Sequence, residues 1–208
     1  MNQKKRSYFN LDVTLKEAIN NFSTLEPDQV AKNARVDLNR ENNTFTLPFI
    51  DRTFRVKYPS GDIIAEDGSP ASQYLAIIML HYLTTADGTP LSGKWIDYRH
   101  LPGGDIYVEP FKKRAVTPFL KTFGERPELF QQAAEALGGH ALQMSGIRMV
   151  VPAMPMVPIC FVLWPGDEEI SSSANVLFDE AAPSYLPTED YAHLPAIVNG
   201  AMKAKAGL

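Results

Sequence analysis

The 208-residue chain reads as one α+β domain, an antiparallel or mixed β-sheet packed by several α-helices. Three observations predict this. Its length is that of a single domain, and 45% hydrophobic residues are enough to fill a core. Its apolar residues recur at helical spacing over the first forty positions and then switch to strict alternation. Its longest apolar run, Ile147 to Trp164, carries Pro152, Pro155 and Pro158, and a helix through three prolines would lose hydrogen bonds and clash with its own preceding turns.

The elements follow in order. Residues 1–40 form a helical N-terminal segment: Leu15, Ala18, Ile19 and Phe22 share one helical face, and Pro27 opens a second helix carrying Val30, Ala31 and Ala34. Residues 43–65 form a β-hairpin region. Phe45, Leu47 and Phe49 alternate with polar neighbours, as do Phe54, Val56 and Tyr58, with Ile50-Asp51-Arg52 between them. Pro48 marks an edge or a bulge, and a short strand near Asp62–Ala65 extends the sheet. Ser69-Pro70 reads as a cap and first position for an apolar helix running to about Thr85. Trp95–Tyr98 is extended, and Leu101-Pro102-Gly103-Gly104 turns into a new helix. An amphipathic helix from Pro127 stops at Gly138-Gly139, two or three strands lie between Ala141 and Trp164, and Thr188-Glu189-Asp190 opens the last helix.

Composition excludes several classes. A net charge of −4, from 20 basic and 24 acidic residues, argues against a nucleic-acid partner, which calls for a strong basic patch. Cys160 is the single cysteine, which rules out a disulfide framework and a cysteine zinc site. The basic start, Met1 to Arg6, is followed by no apolar signal-peptide core, and no stretch reads as a membrane span; the expected location is the cytoplasm. Phosphate-loop, dinucleotide, nucleophile-elbow and His-Glu-x-x-His patterns are all missing from the sequence.

The second half, roughly residues 70–205, resembles the domain of unknown function 3786 family. The matching pieces are Trp95 to Gly104, then Tyr107, Phe111 and Arg114, Pro155-Met156-Val157-Pro158, Trp164 to Glu169, Leu177-Phe178-Asp179 and Tyr185 to Asp190. The resemblance implies an intracellular protein of mainly anaerobic bacteria and archaea. Some relatives carry an added iron–sulfur segment; one cysteine cannot supply such a cluster, so none is expected from this chain. The family offers no catalytic residues to carry over.

The segment from Trp95 to Arg114 is the richest in chemistry. A helix starting after Gly104 would place Tyr107, Phe111, Arg114 and Pro118 on one face, with Arg114 partly buried on an aromatic stripe and in need of an anion. Gly103 and Gly104 would offer backbone N–H groups at its start, and Arg99 and His100 precede the turn. Trp95, Arg99, His100, Gly103, Gly104, Tyr107, Phe111 and Arg114, with His81 from the preceding helix, are therefore the candidate cofactor-binding residues. The expected ligand is a planar, anionic small molecule, with haem or a corrinoid as the concrete form and His100 or His81 as axial ligand. The competing reading pairs the arginines with Asp97 or Glu109 and leaves the aromatics to the core. A second function, metal-assisted hydrolysis, would use Asp167, Glu168, Asp179 and Asp190 if they converge. A third is a module for docking a protein partner.

Overall fold

A computed structural model describes residues 11–208, so the basic start lies outside the described residues. The fold is α+β, with two antiparallel sheets where the alternation pattern suggested one. The N-terminal helices are α1 (Leu11–Ser23) and α2 (Pro27–Ala34), the latter with its proline in the first turn as expected. Strands β1 (Asp37–Asn39), β2 (Thr44–Phe49), β3 (Arg52–Lys57) and β4 (Asp62–Ala65) form the first sheet in chain order. Strand β1 pairs only with Thr44–Thr46 of β2, so Pro48 sits where β2 has an open side and its missing N–H costs no ladder bond. Phe45, Leu47, Phe54 and Val56 turn inward, and Phe22 of α1 packs on Phe45 with ring centres 5.6 Å apart.

Helix α3 spans Gln73–Thr85 and begins three residues later than the Ser69-Pro70 signal implies. Ser69 and Ala71 are held as extended chain beside β4, through Ala65 N–H to Ser69 O and Ala71 N–H to Ile63 O. Ser72 caps the helix instead, its hydroxyl accepting from the Leu75 N–H.

The second sheet runs in the order β5 (Trp95–Asp97), β9 (Ser173–Asp179), β8 (Val157–Trp164), β7 (Ile147–Met154) and β6 (His140–Ala141). The proline-rich run is indeed two strands, and an Ile50 N–H bond to the Ala153 carbonyl ties the two sheets together. Between β5 and β6 lie two 3₁₀ turns (Tyr98–His100 and Gly104–Tyr107), α4 (Val108–Phe111), a π-helical turn (Lys112–Val116), α5 (Thr117–Phe123) and α6 (Pro127–Glu135). Helices α7 (Thr188–Tyr191) and α8 (Leu194–Lys205) close the fold. One face of the second sheet enters the main core through Phe161, Val176 and Phe178, against Phe119 and Tyr191. The other face carries a small cluster of Val150, Cys160 and Val162 under Trp95 and Trp164. Burial pushes the Cys160 thiol up to about 12, so it stays protonated and unreactive.

Among the described residues no helix is long and apolar enough to cross a membrane.

Candidate functional site

The π-helical turn overturns the expected face after Gly104. A π turn adds a residue to the helical repeat, so steps of four stay on one side across it while the step of three from Phe111 to Arg114 leaves that side. Phe111, Ala115 and Phe119 form the buried stripe, whereas Tyr107 is 53% exposed and Arg114 points to the surface rather than being partly buried. Phe111 stacks on Tyr98 with ring centres 4.2 Å apart and planes 7° from parallel. Gly104 is there for packing: a Cβ would meet the Tyr98 carbonyl oxygen at 2.0 Å, and its N–H is already given to the Leu101 carbonyl. Gly103 supplies a left-handed turn at φ 70°. His100 is exposed, and Trp95 projects from the opposite sheet face, where it covers Cys160 and its neighbours. The nine candidate residues thus do not form one site.

Nor do the acids converge. Asp179 is buried and accepts from the Ser92 N–H and hydroxyl, the Gly93 N–H and the Ala181 N–H, which pins the approach to β5. Asp167 closes an exposed turn on the Glu169 and Ile170 N–H groups, with Glu168 beside it in the same turn. Asp190 belongs to a third place. Among the described residues no group of three or more His, Cys, Asp or Glu side chains is placed to hold a metal ion.

Asp190 leads instead to a pocket that includes His81. The two meet at 2.7 Å, Nδ1 to Oδ2, although 109 residues separate them in sequence. Their side chains retain 25% and 12% exposure, enough for contact with a ligand but little for bulk water. The pocket measures about 300 Å³ and is walled by Tyr74, Ile77 and His81 of α3, Glu189 and Asp190 of α7 with Pro187 before it, and His193 just ahead of α8, with Leu11 and Thr14 of α1 on one side. The elements explain the meeting. Helix α3 is apolar nearly all round and so is central, and α7 is a single turn whose Asp190 falls opposite the one imidazole on that helix.

Two carboxyl groups, Glu189 and Asp190, line the pocket beside the imidazoles and the phenol. An ionised carboxylate only accepts, so His81 donates its Nδ1–H to Asp190 and turns Nε2 toward what enters the pocket. His193 meets the Tyr74 ring edge-on at 5.4 Å. Burial, then the nearby Arg114 guanidinium, hold the His193 pKa below the ordinary histidine value against the pull of Asp190. Desolvation and Asp190 push the Tyr74 phenol above its ordinary value, and its buried hydroxyl has no hydrogen-bond partner among the described residues. Arg114 is in electrostatic reach of Tyr74 and His193 and takes part in no ion pair among the described residues. His81, Arg114 and Asp190 are the predicted residues that this region brings together, although Asp190 was expected to hold a metal with the other acids; Tyr74 and His193 complete it.

Other concavities stand apart, among them one of about 540 Å³ at the acidic turn that carries Asp167 and Glu168. A trough of about 760 Å³ between α1, β3–β4 and α3 is wide, and its polar lining includes the exposed strand side chains Arg55 and Lys57. A groove of about 460 Å³ lies between β9 and the α4–π-helical segment and contains Arg99 and Phe111.

A family described as Domain of unknown function (DUF3786) matches residues 26–200 of the chain. No curated protein and no solved structure matches it.

Proposed function

We propose that this chain, which belongs to the DUF3786 family, binds a small, largely apolar molecule in the α3–α7 pocket and exchanges a proton with it through His81 Nε2. The observation that carries the reading is the 2.7 Å His81–Asp190 pair on the wall of a largely apolar pocket. A carboxylate behind one ring nitrogen fixes the tautomer and holds the ring in place. The ligand's polar group would meet His81 Nε2, and its apolar part would lie on Ile77 and Tyr74. A volume of about 300 Å³ is at the lower end of small-molecule sites, which span roughly 300–1,000 Å³. That favours a ligand smaller than haem or a corrinoid. Metal-assisted hydrolysis loses its basis with the dispersal of the acids described above.

The test is a screen of a library of small carboxylic acids, amides and ketones by protein NMR on the full chain. Expected hits move the His81 ring signals, and His81→Ala weakens them by about 10–100-fold, the loss of one charge-assisted or buried hydrogen bond. Asp190→Asn should retain binding but alter the Nε2 signal, because the amide reverses the polarity of the bond to Nδ1. A library without hits at His81, or hits that survive His81→Ala at full affinity, would overturn the reading.

A further inference from the structure

Strand β9 has seven residues, yet β5 pairs only with its last three, Leu177 to Asp179. Two hydrogen bonds show which residues of β9 face the side that β5 abandons. The Glu180 N–H donates to the Lys94 carbonyl on that side, and the Val176 N–H turns away from β8 to the Asn175 Oδ1. Backbone groups alternate along a strand, so the Ala174 N–H and C=O point to the same open side, where no described residue pairs with them. The chain leaves the sheet here because Tyr98 swings onto Phe111 and starts a 3₁₀ turn in place of a longer strand.

The open edge is the floor of a groove rather than a flat margin. Val108, Phe111, Lys112, Val116 and Thr117 stand opposite Ala174 and Asn175, enclosing about 460 Å³. A strand edge facing a helix, with apolar side chains between, is the physical form that accepts an extended chain by strand addition. The rim selects the sign of the charge. Arg99 is exposed with no ionic partner among the described residues, and Lys112 adds a second cation whose link to Glu109, at 3.2 Å, is solvent-exposed. The one acid in the groove, Asp97, is already engaged by the Asn175 amide at 2.6 Å.

We propose that this groove binds a short extended peptide segment of a partner protein, which takes the strand position that β5 vacates, exchanges backbone hydrogen bonds with Ala174 and places an acidic side chain on Arg99. Asn175 acts as the edge guard: with no peptide present it satisfies the Val176 N–H, and on binding it yields that donor. Apolar side chains of the peptide would face Phe111 and Val116.

Random heptapeptides displayed on phage, selected against the full chain, test this directly. Selection should enrich Asp and Glu flanked by apolar residues. A synthetic peptide from the pool should slow hydrogen exchange at the Ala174 amide in the wild-type chain. Arg99→Met should weaken that peptide by about tenfold, equivalent to 1.4 kcal/mol. Ala174→Pro, which removes only the outward N–H of an edge position, should weaken it at least as much, and His81→Ala should leave it unchanged. No enrichment of acidic clones, or a selected peptide that leaves Ala174 exchange unaltered, overturns the proposal. The exchange measurement needs no variant, so it decides the matter even if Ala174→Pro does not fold.

Discussion

The His81 pocket and the β9-edge groove are built from opposite materials. Side chains make the first: an imidazole held by a carboxylate, a second imidazole whose pKa burial lowers, and a phenol, all around one small apolar pocket. Backbone makes the second, an unpaired N–H and C=O at Ala174 with cations on an open rim. An apolar pocket lined by polar groups suits a small molecule, since a few placed groups can fix its orientation while the apolar wall covers the rest. An open strand edge suits a chain, since only another backbone matches its spacing. The comparison also locates their common support. The stack of Phe111 on Tyr98 bends the chain out of the sheet, which opens the groove, and the π-helical turn that begins at the next residue turns Arg114 outward, within electrostatic reach of Tyr74 and His193.

Phe111→Ala is therefore the substitution with the largest expected effect. Phe111 is buried, stacked on Tyr98 and 6.0 Å from the Phe178 ring. Its loss should cost about 3–5 kcal/mol, as truncation of a buried phenylalanine does. Urea denaturation measures it, and both regions should suffer together: peptide binding at the groove and ligand response at His81. A loss confined to the groove would show that the two do not share this support.

Asp179→Asn comes next. The carboxylate gathers three backbone N–H groups and the Ser92 hydroxyl at 2.7–3.0 Å, and so fixes the loop before β5. The amide keeps the shape but turns one acceptor into a donor facing donors. The expected cost is about 2–3 kcal/mol, the scale of hydrogen bonds to a charged group. Thermal melts check it. Groove binding should weaken more than the His81 pocket, to whose wall neither Asp179 nor the Ser92–Gly93 loop contributes. Added divalent cations should leave the wild-type melting temperature unchanged if Asp179 is only a staple, as its full set of donors implies.

The legibility of the two regions differed for the same physical reasons. Phe45, Leu47 and Phe49 against Phe54, Val56 and Tyr58 announce a hairpin because strand periodicity is local, and the observed register pairs Phe45 with Val56 and Leu47 with Phe54. Strand β9 gave no such signal: Ser173 and Asn175 on its outer side are common in turns, and it acquires its strand state from the β8 neighbour. Helix phase from Tyr107 to Arg114 was readable only for a regular helix, and the π-helical turn is invisible to any fixed spacing. His81 was legible as a candidate and Asp190 as an acid, but their pairing across 109 residues is a product of tertiary packing. Arg99 was found, and its setting beside an open strand edge was not.

His193 offers a smaller, pH-dependent test of the pocket. Its folded pKa lies below the ordinary value of 6.5, first through burial and then through Arg114. Between the two values the unfolded chain binds the proton more readily than the folded one. Stability from this group is thus complete above about pH 6.5 and is lost as the pH falls through the window beneath. His193→Phe, which keeps an aromatic against Tyr74, should flatten that part of the stability profile relative to wild type in urea titrations between pH 7.5 and 5. Subtracting the two profiles removes the carboxylates common to both. An identical slope in the variant would mean that His193 titrates alike in both states.

Arg114→Met has the smallest expected effect on stability and the sharpest effect on the comparison. The side chain is exposed and holds no ion pair among the described residues, so its loss should change stability by no more than about 0.5 kcal/mol. Its charge nevertheless acts on the pocket: the guanidinium disfavours a proton on His193. Removing it should move the His193 titration upward, toward the ordinary value, as followed by ring-proton NMR. Any small anion that binds near His81 should also lose affinity, while a neutral isostere such as the matching amide should not. Peptide capture at the β9 edge, which relies on Arg99, should be unaffected. A His193 titration that stays put would remove Arg114 from the pocket's surroundings and leave the site to the His81–Asp190 pair alone; an upward shift with loss of anion preference would identify Arg114 as the group that chooses the ligand's charge.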